Sequence, residues 1–147
     1  MMQKLTASDE TFQPREGLAV LHLFCVGAMD LDRSRVVAAV KAATTDGYQV
    51  VAFGVLGHKA QVGFMAIGPS LVRLKELQRD LERSGLSVVD SYVSLTEVSE
   101  YAQGMPAERK APRLYPVLPP EGLSNICFYG MSKKREPGAN WYLLPYE

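Results

Sequence analysis

Tyr48-Gln49-Val50-Val51-Ala52-Phe53-Gly54-Val55-Leu56, then Gly57-His58-Lys59, then Ala60-Gln61-Val62-Gly63-Phe64-Met65-Ala66-Ile67 is the stretch that decides the fold. Two runs of strand length, rich in Val and Phe, flank a short glycine-bearing break, and that pattern predicts a hairpin. Each side of the hairpin carries a helix signal. Upstream, Asp32 can cap a helix whose Val36, Val37, Val40 and Ala43 recur on one face, and Asp46-Gly47 ends it. Downstream, Gly68-Pro69-Ser70 breaks the second strand and opens a helix with Leu71, Leu74, Leu77 and Leu81 as its apolar stripe. Lys75, Glu76, Arg79, Asp80, Glu82 and Arg83 occupy the outer face of that helix, and Gly85 ends it. Beyond the helices lie two more apolar runs. Leu18 to Val26 is bounded by Gly17 and Gly27, and Leu86 to Val98 is most strand-like from Val88 to Leu95. The order is β-α-β-β-α-β. It predicts an α+β, ferredoxin-like domain with two helices on one face of a four-stranded antiparallel sheet. Both crossovers are long enough to be right-handed.

The flanks read differently. Residues 1–16 are polar, with Lys4, Asp9, Glu10, Arg15 and Glu16, and are expected to form a loose arm before a domain spanning 17–101. Residues 102–123 carry Pro106, Pro112, Pro116, Pro119 and Pro120, a density expected to exclude a helix or a central strand and to give an extended connector. Ser124 to Met131 then reads as a new strand. One strand and a tail bury no core of their own. Residues 124–147 are therefore expected to be the start of a second, incomplete domain.

Composition narrows the function classes. The chain has 147 residues, 47% hydrophobic and 22% charged, with zero formal net charge. No global field favours nucleic acid or an anionic membrane. The run Leu18 to Met29 is too short to span a bilayer, and residues 1–17 lack the apolar core of a signal peptide. Cys25 and Cys127 both fall in apolar runs and are expected to be reduced, buried thiols of a cytoplasmic protein. His22 and His58 show no metal-ligand spacing to each other or to a cysteine. His22 is expected at the sheet surface with its hydrogen bonds satisfied, and His58 at a hairpin tip. Neither a Ser–His–Asp grouping nor a glycine-rich phosphate loop is recognisable.

Chemistry concentrates in Phe128-Tyr129-Gly130-Met131-Ser132-Lys133-Lys134-Arg135, with Asn140-Trp141-Tyr142 close behind. A phenol, a thioether and a basic cluster together suit a large, flat, apolar ligand that carries carboxylates, and a porphyrin is such a ligand. Lys and Arg, with Arg113 upstream, pair carboxylates by charge-assisted hydrogen bonds. Met131 adapts to flat apolar surfaces. A phenol can give up an electron and a proton, as neither phenylalanine nor serine can. The plainer readings stand beside this one: Tyr129 as a half-buried packing residue, Lys133 to Arg135 as a solvated turn, Trp141 as packing.

These residues resemble the chlorite dismutase-like superfamily, and within it the peroxide-dependent coproheme decarboxylases. Three segments carry the resemblance: Gly57-His58-Lys59-Ala60 through Gly63-Phe64-Met65, Ser91-Tyr92-Val93-Ser94-Leu95-Thr96-Glu97-Val98-Ser99-Glu100-Tyr101, and Phe128 to Arg135 with Asn140-Trp141-Tyr142. The resemblance implies a dimeric α+β barrel type of subunit with two ferredoxin-like halves, assembled into a homo-oligomeric ring, usually a pentamer. It implies that iron coproporphyrin III binds in the second half. Two of its propionates would be converted to vinyl groups with hydrogen peroxide, giving haem b. By the same likeness Tyr129 matches the redox-active tyrosine and Lys133 the lysine beside the propionate. Met131 and Trp141 match residues lining the porphyrin, and Arg113 a connector arginine. Gly130 stands where the family commonly has proline. The family's axial histidine belongs beyond residue 147, so iron ligation is expected outside this chain. The alternatives are a non-catalytic assembly domain of the same superfamily, or a ferredoxin-like protein that binds another small acid.

Overall fold

The computed structural model describes residues 12–98 and 104–130. Strand β1 (Ala19–Gly27) is followed by helix α1 (Arg33–Thr45), strands β2 (Gln49–Gly54) and β3 (Val62–Gly68), helix α2 (Leu71–Arg83) and strand β4 (Leu86–Leu95). The sheet order is β2-β3-β1-β4, with every neighbouring pair antiparallel. This is the ferredoxin-like arrangement that the element order predicts. Asp32 caps α1 as read from sequence, its Oδ1 accepting the Arg35 N–H at 3.1 Å. At α2 the capping differs. Ser70 makes no side-chain cap bond, and the Tyr48 hydroxyl accepts the Ser70 N–H at 3.0 Å instead.

The core lies between the sheet and the two helices. Leu21, Leu23 and Cys25 from β1 and Phe64 and Ala66 from β3 meet Leu74, Leu77 and Leu81 from α2 and Ala39 and Ala43 from α1. Each fully buried leucine contributes about 1.5–3 kcal/mol of apolar transfer. Small Ala39 and Ala43 are the buried residues of α1. Alternation then sends Val20, His22 and Phe24 to the opposite face of β1, and these too are buried.

The strand pairing contains one irregularity. Phe24 pairs with Asp90 but Cys25 pairs with Val88, so Val89 is an extra residue in β4. The bulge reverses the alternation of β4. Val88 packs against the core with Cys25, while Asp90 and Tyr92 share the far face with Phe24 and His22.

Several expectations need correction. The break in the hairpin is longer than Gly57-His58-Lys59, because β3 starts at Val62 rather than Ala60. Gln61 is used elsewhere: its N–H donates to the Cys25 carbonyl at 2.9 Å and its Oε1 accepts the Gly27 N–H at 3.1 Å. The proline-rich stretch does contain a helix, α3 (Ala107–Leu114), with Pro112 inside it. Pro106 sits at the cap, where its missing N–H costs nothing, and Pro112 forfeits a single bond near the end of a short helix. Leu114 anchors α3 by burial. Ser124 to Gly130, expected as a strand, joins no ladder among the described residues. It lies against the far face of the sheet instead of an edge. Cys127, expected to be buried, is exposed, whereas Cys25 is buried.

After β4 the chain circles one end of the sheet. Thr96 Oγ1 accepts the Leu18 N–H at 2.7 Å and donates to the Leu114 carbonyl at 2.7 Å. Gln49, at the start of β2 on the opposite edge, then holds the connector twice. Its Nε2 donates to the Pro116 carbonyl at 2.8 Å, and its Oε1 accepts the Leu118 N–H at 2.7 Å. From there the chain returns across the far face.

Candidate functional site

The far face of the sheet holds an aromatic floor. Phe24 stands edge-on to Phe53, with centroids 6.3 Å apart and planes at 81°. It also meets His58 at 5.5 Å and Tyr92 at 6.3 Å, again edge-on. Gly63, paired with Phe24 on one side and Phe53 on the other, makes this floor possible. A Cβ at Gly63 would overlap the Phe53 ring, so the ring lies where a side chain would otherwise stand.

Residues 124–130 lie opposite this floor, and the space between is a cavity of about 800 Å³. That volume falls within the usual range for small-molecule sites. The described part of the strap, Ser124 to Gly130, meets the sheet through Phe128. Its ring centroid lies 4.6 Å from that of His22, 5.0 Å from Tyr92 and 5.3 Å from Phe24, all within the range of favourable ring pairs. Tyr129 is 69% exposed on the cavity wall.

Polar side chains in the wall include His58, Asp90, Tyr92, Ser124, Asn125 and Tyr129. His58 Nε2 lies 3.9 Å from Asp90 Oδ2. Asp90 also accepts the Ser91 N–H at 2.8 Å and, weakly, the Tyr92 hydroxyl at 3.4 Å. His22 departs from expectation: it is buried, and its Nδ1 has no hydrogen-bond partner among the described residues. Burial holds its pKa below the ordinary 6.5. Burial also pushes the Cys25 thiol up to about 11, with the Glu82 charge adding to the rise. Cys25 faces the core rather than the cavity and is no candidate nucleophile.

Of the residues singled out from sequence, Tyr129 lies on the cavity. Arg113 does not. It is exposed on α3, near the Leu18–Thr96 end of the sheet, and the five-residue step along β1 from Ala19 to Phe24 separates that end from the cavity by roughly 17 Å. Met131, Lys133 and Trp141 lie outside the described residues. Sequence reading missed Phe128, Tyr92, Asp90 and Phe24 as one cluster. The period-2 alternation of β1 could have linked Phe24 to His22, but the bulge at Val89 hides the link to Asp90 and Tyr92. Among the described residues no group of three or more His, Cys, Asp or Glu side chains is arranged to hold a metal ion, and no helix is long and apolar enough to cross a membrane.

The chain is similar to a protein of Natronomonas pharaonis named "Putative heme-binding protein", with 38% identity over 112 residues. The match covers 65% of this chain and 18% of that relative, so the chain spans less than a fifth of the curated relative's length. The sequence profile of the family described as Chlorite dismutase matches residues 32–147, from the cap of α1 through both the strap and the basic cluster. The chain therefore belongs to the chlorite dismutase family, within the chlorite dismutase-like superfamily.

Proposed function

We propose that this chain supplies the phenol-bearing side of a porphyrin site in a coproheme decarboxylase. The observation that carries the reading is Tyr129. It is exposed at the wall of an aromatic-floored cavity, immediately ahead of Lys133, in a segment that the family match includes. The haem-related name of the relative, brought to this chain, points the same way.

The described residues fit part of such a ligand. The rings of Phe24, Phe53 and Tyr92 suit a flat apolar macrocycle, and a phenol at the rim suits oxidative chemistry. The carboxylate of Asp90 does not suit propionates. Those would be met by Lys133, while Met131 and Trp141 would line the ring. The far face of the sheet would pack against a second ferredoxin-like half, in a subunit that assembles with copies of itself into a ring.

Bound iron coproporphyrin with hydrogen peroxide supplies the oxidising power. The carboxylate of each propionate would leave as carbon dioxide, and the rest of the side chain would give up one proton and two electrons to become a vinyl group; hydrogen peroxide would take up the two electrons, that proton and one more from solvent, and become two waters. Tyr129 loses its phenolic proton and one electron, then recovers a hydrogen atom from the propionate chain. Lys133 holds the carboxylate in reach and favours its charged form. In a protein that joins this chain to a second ferredoxin-like half, Tyr129→Phe is expected to keep coproheme binding, read from the Soret band, and to abolish haem b formation. Normal turnover by that variant would end the radical role.

The Asp90 carboxylate in the wall favours a second reading, a non-catalytic assembly domain in which Tyr129 and Lys133 no longer react. A coproheme titration separates the two. Under the first reading this chain, joined to a second ferredoxin-like half, shifts the Soret band and converts the ligand on peroxide addition. Under the second neither event occurs.

A further inference from the structure

We infer that Phe128 and Tyr92 are positioning residues for Tyr129, seating the residues on either side of it and so fixing where its phenol stands. The inference rests on the reading of Tyr129 as the redox phenol, and it concerns what holds that phenol in place. Residues 124–130 have no strand pairing among the described residues, so backbone hydrogen bonds of a sheet do not locate them. Among residues 121–130, Phe128 alone is not exposed. Its ring is enclosed by His22, Phe24 and Tyr92 at 4.6, 5.3 and 5.0 Å. On the other side of Tyr129, a Cβ placed on Gly130 would lie 3.8 Å from Tyr92 Cε1, an ordinary contact. Tyr92 thus lies beneath both neighbours of Tyr129. Tyr92 is itself fixed: it stands at 89° to Phe24, its strand pairs it with His22, and its hydroxyl reaches Asp90. The chain is held just before the phenol, at Phe128, and passes near Tyr92 just after it, while Tyr129 itself stays 69% exposed. Such a seat suits hydrogen-atom transfer, where a displacement of about 1 Å costs on the order of 100-fold in rate.

The test uses 3-fluorotyrosine in the unliganded chain, with the fluorine resonance of residue 129 assigned by its loss in Tyr129→Phe. The wild-type resonance is expected to differ from free fluorotyrosine. It should move to the free position in Phe128→Ala and in Tyr92→Ala, and return in Phe128→Tyr, with circular dichroism unchanged throughout. Phe128→Leu, which keeps the apolar bulk, guards against a variant that fails to fold and should give a partial shift. An unmoved resonance in both alanine variants would overturn the inference. In this chain joined to a second ferredoxin-like half, with coproheme and peroxide, Phe128→Ala is expected to lower kcat by about 10–100-fold while KM stays within about 2-fold. A raised KM with kcat intact would also overturn it. A fluorine response as expected, with no turnover by any form, would sustain the seat and reject the porphyrin reading.

Discussion

His22 is the residue whose environment departs furthest from what its sequence position suggests. It is buried beneath Phe128, faces Met65 and Tyr92 across the ladders, and leaves Nδ1 without a partner among the described residues. Its lowered pKa sets the sign of a pH effect. As pH falls through about 6.5, the unfolded chain takes up a proton here and the folded chain does not. Folding stability should therefore decline below that pH, until the lower folded pKa is reached. His22→Leu should lose this contribution, so that urea unfolding between pH 7.5 and 5 shows the variant gaining on the wild type as pH falls. A constant difference across that range would mean that His22 finds a proton partner when folded. The contrast with Tyr129 is instructive about what a sequence discloses. A phenol before a basic cluster announces its chemistry by neighbours along the chain. The burial of His22 depends on Phe128, far away in sequence, and no local pattern contains it.

At the scale of elements, the helices and strands were legible because their periodicities are local. Leu74, Leu77 and Leu81 repeat with the helix, and the Val- and Phe-rich runs of β2 and β3 alternate with the pleat. Two features escaped for the opposite reason. α3 forms despite Pro112 because it is short and because Leu114 is buried against the main domain. The strap reads as a strand because its composition is that of one, yet its apolar side chain packs against a face. The link between them is the Gln49 amide, which engages the connector with both of its atoms. Two hydrogen bonds at about 0.5–1.5 kcal/mol each give Gln49→Ala an expected cost of about 1–3 kcal/mol, measurable by denaturant unfolding. Gly63→Ala should cost about 1–3 kcal/mol by overpacking. It should also displace Phe53 from the cavity floor, which a crystal structure of the variant would reveal.

For the whole molecule, the two faces of the sheet differ in kind. Among the described residues, one face is closed by helices and the other only in part, by a strap. The two thiols sample this difference. Cys25 is fully buried on the helix side with its pKa raised to about 11, and Cys127 is exposed on the strap. A disulfide reagent at pH 8 should modify one thiol quickly and the second at the rate of global unfolding. Fast reaction of both would mean that the helix-side core opens without unfolding. The candidate site draws on both faces of this argument: its chemistry was written in one short segment, while its shape needed the bulge, the glycine and the ring cluster to be seen together.

Leu118 is fastened at Gln49 and Phe128 at His22, and every described residue from 119 to 127 is exposed between them. That stretch behaves as a tether cut to length. A gene encoding it can change much of its spelling, since no side chain there is enclosed, except at Gly122, whose φ of 75° favours glycine, and at residues 124–126, which line the cavity. It is far less free to gain or lose codons, because each one alters the span that delivers the aromatic anchor to its seat. Drift in this part of the family should therefore appear as substitutions, with insertions and deletions kept to the turn at Glu121–Gly122.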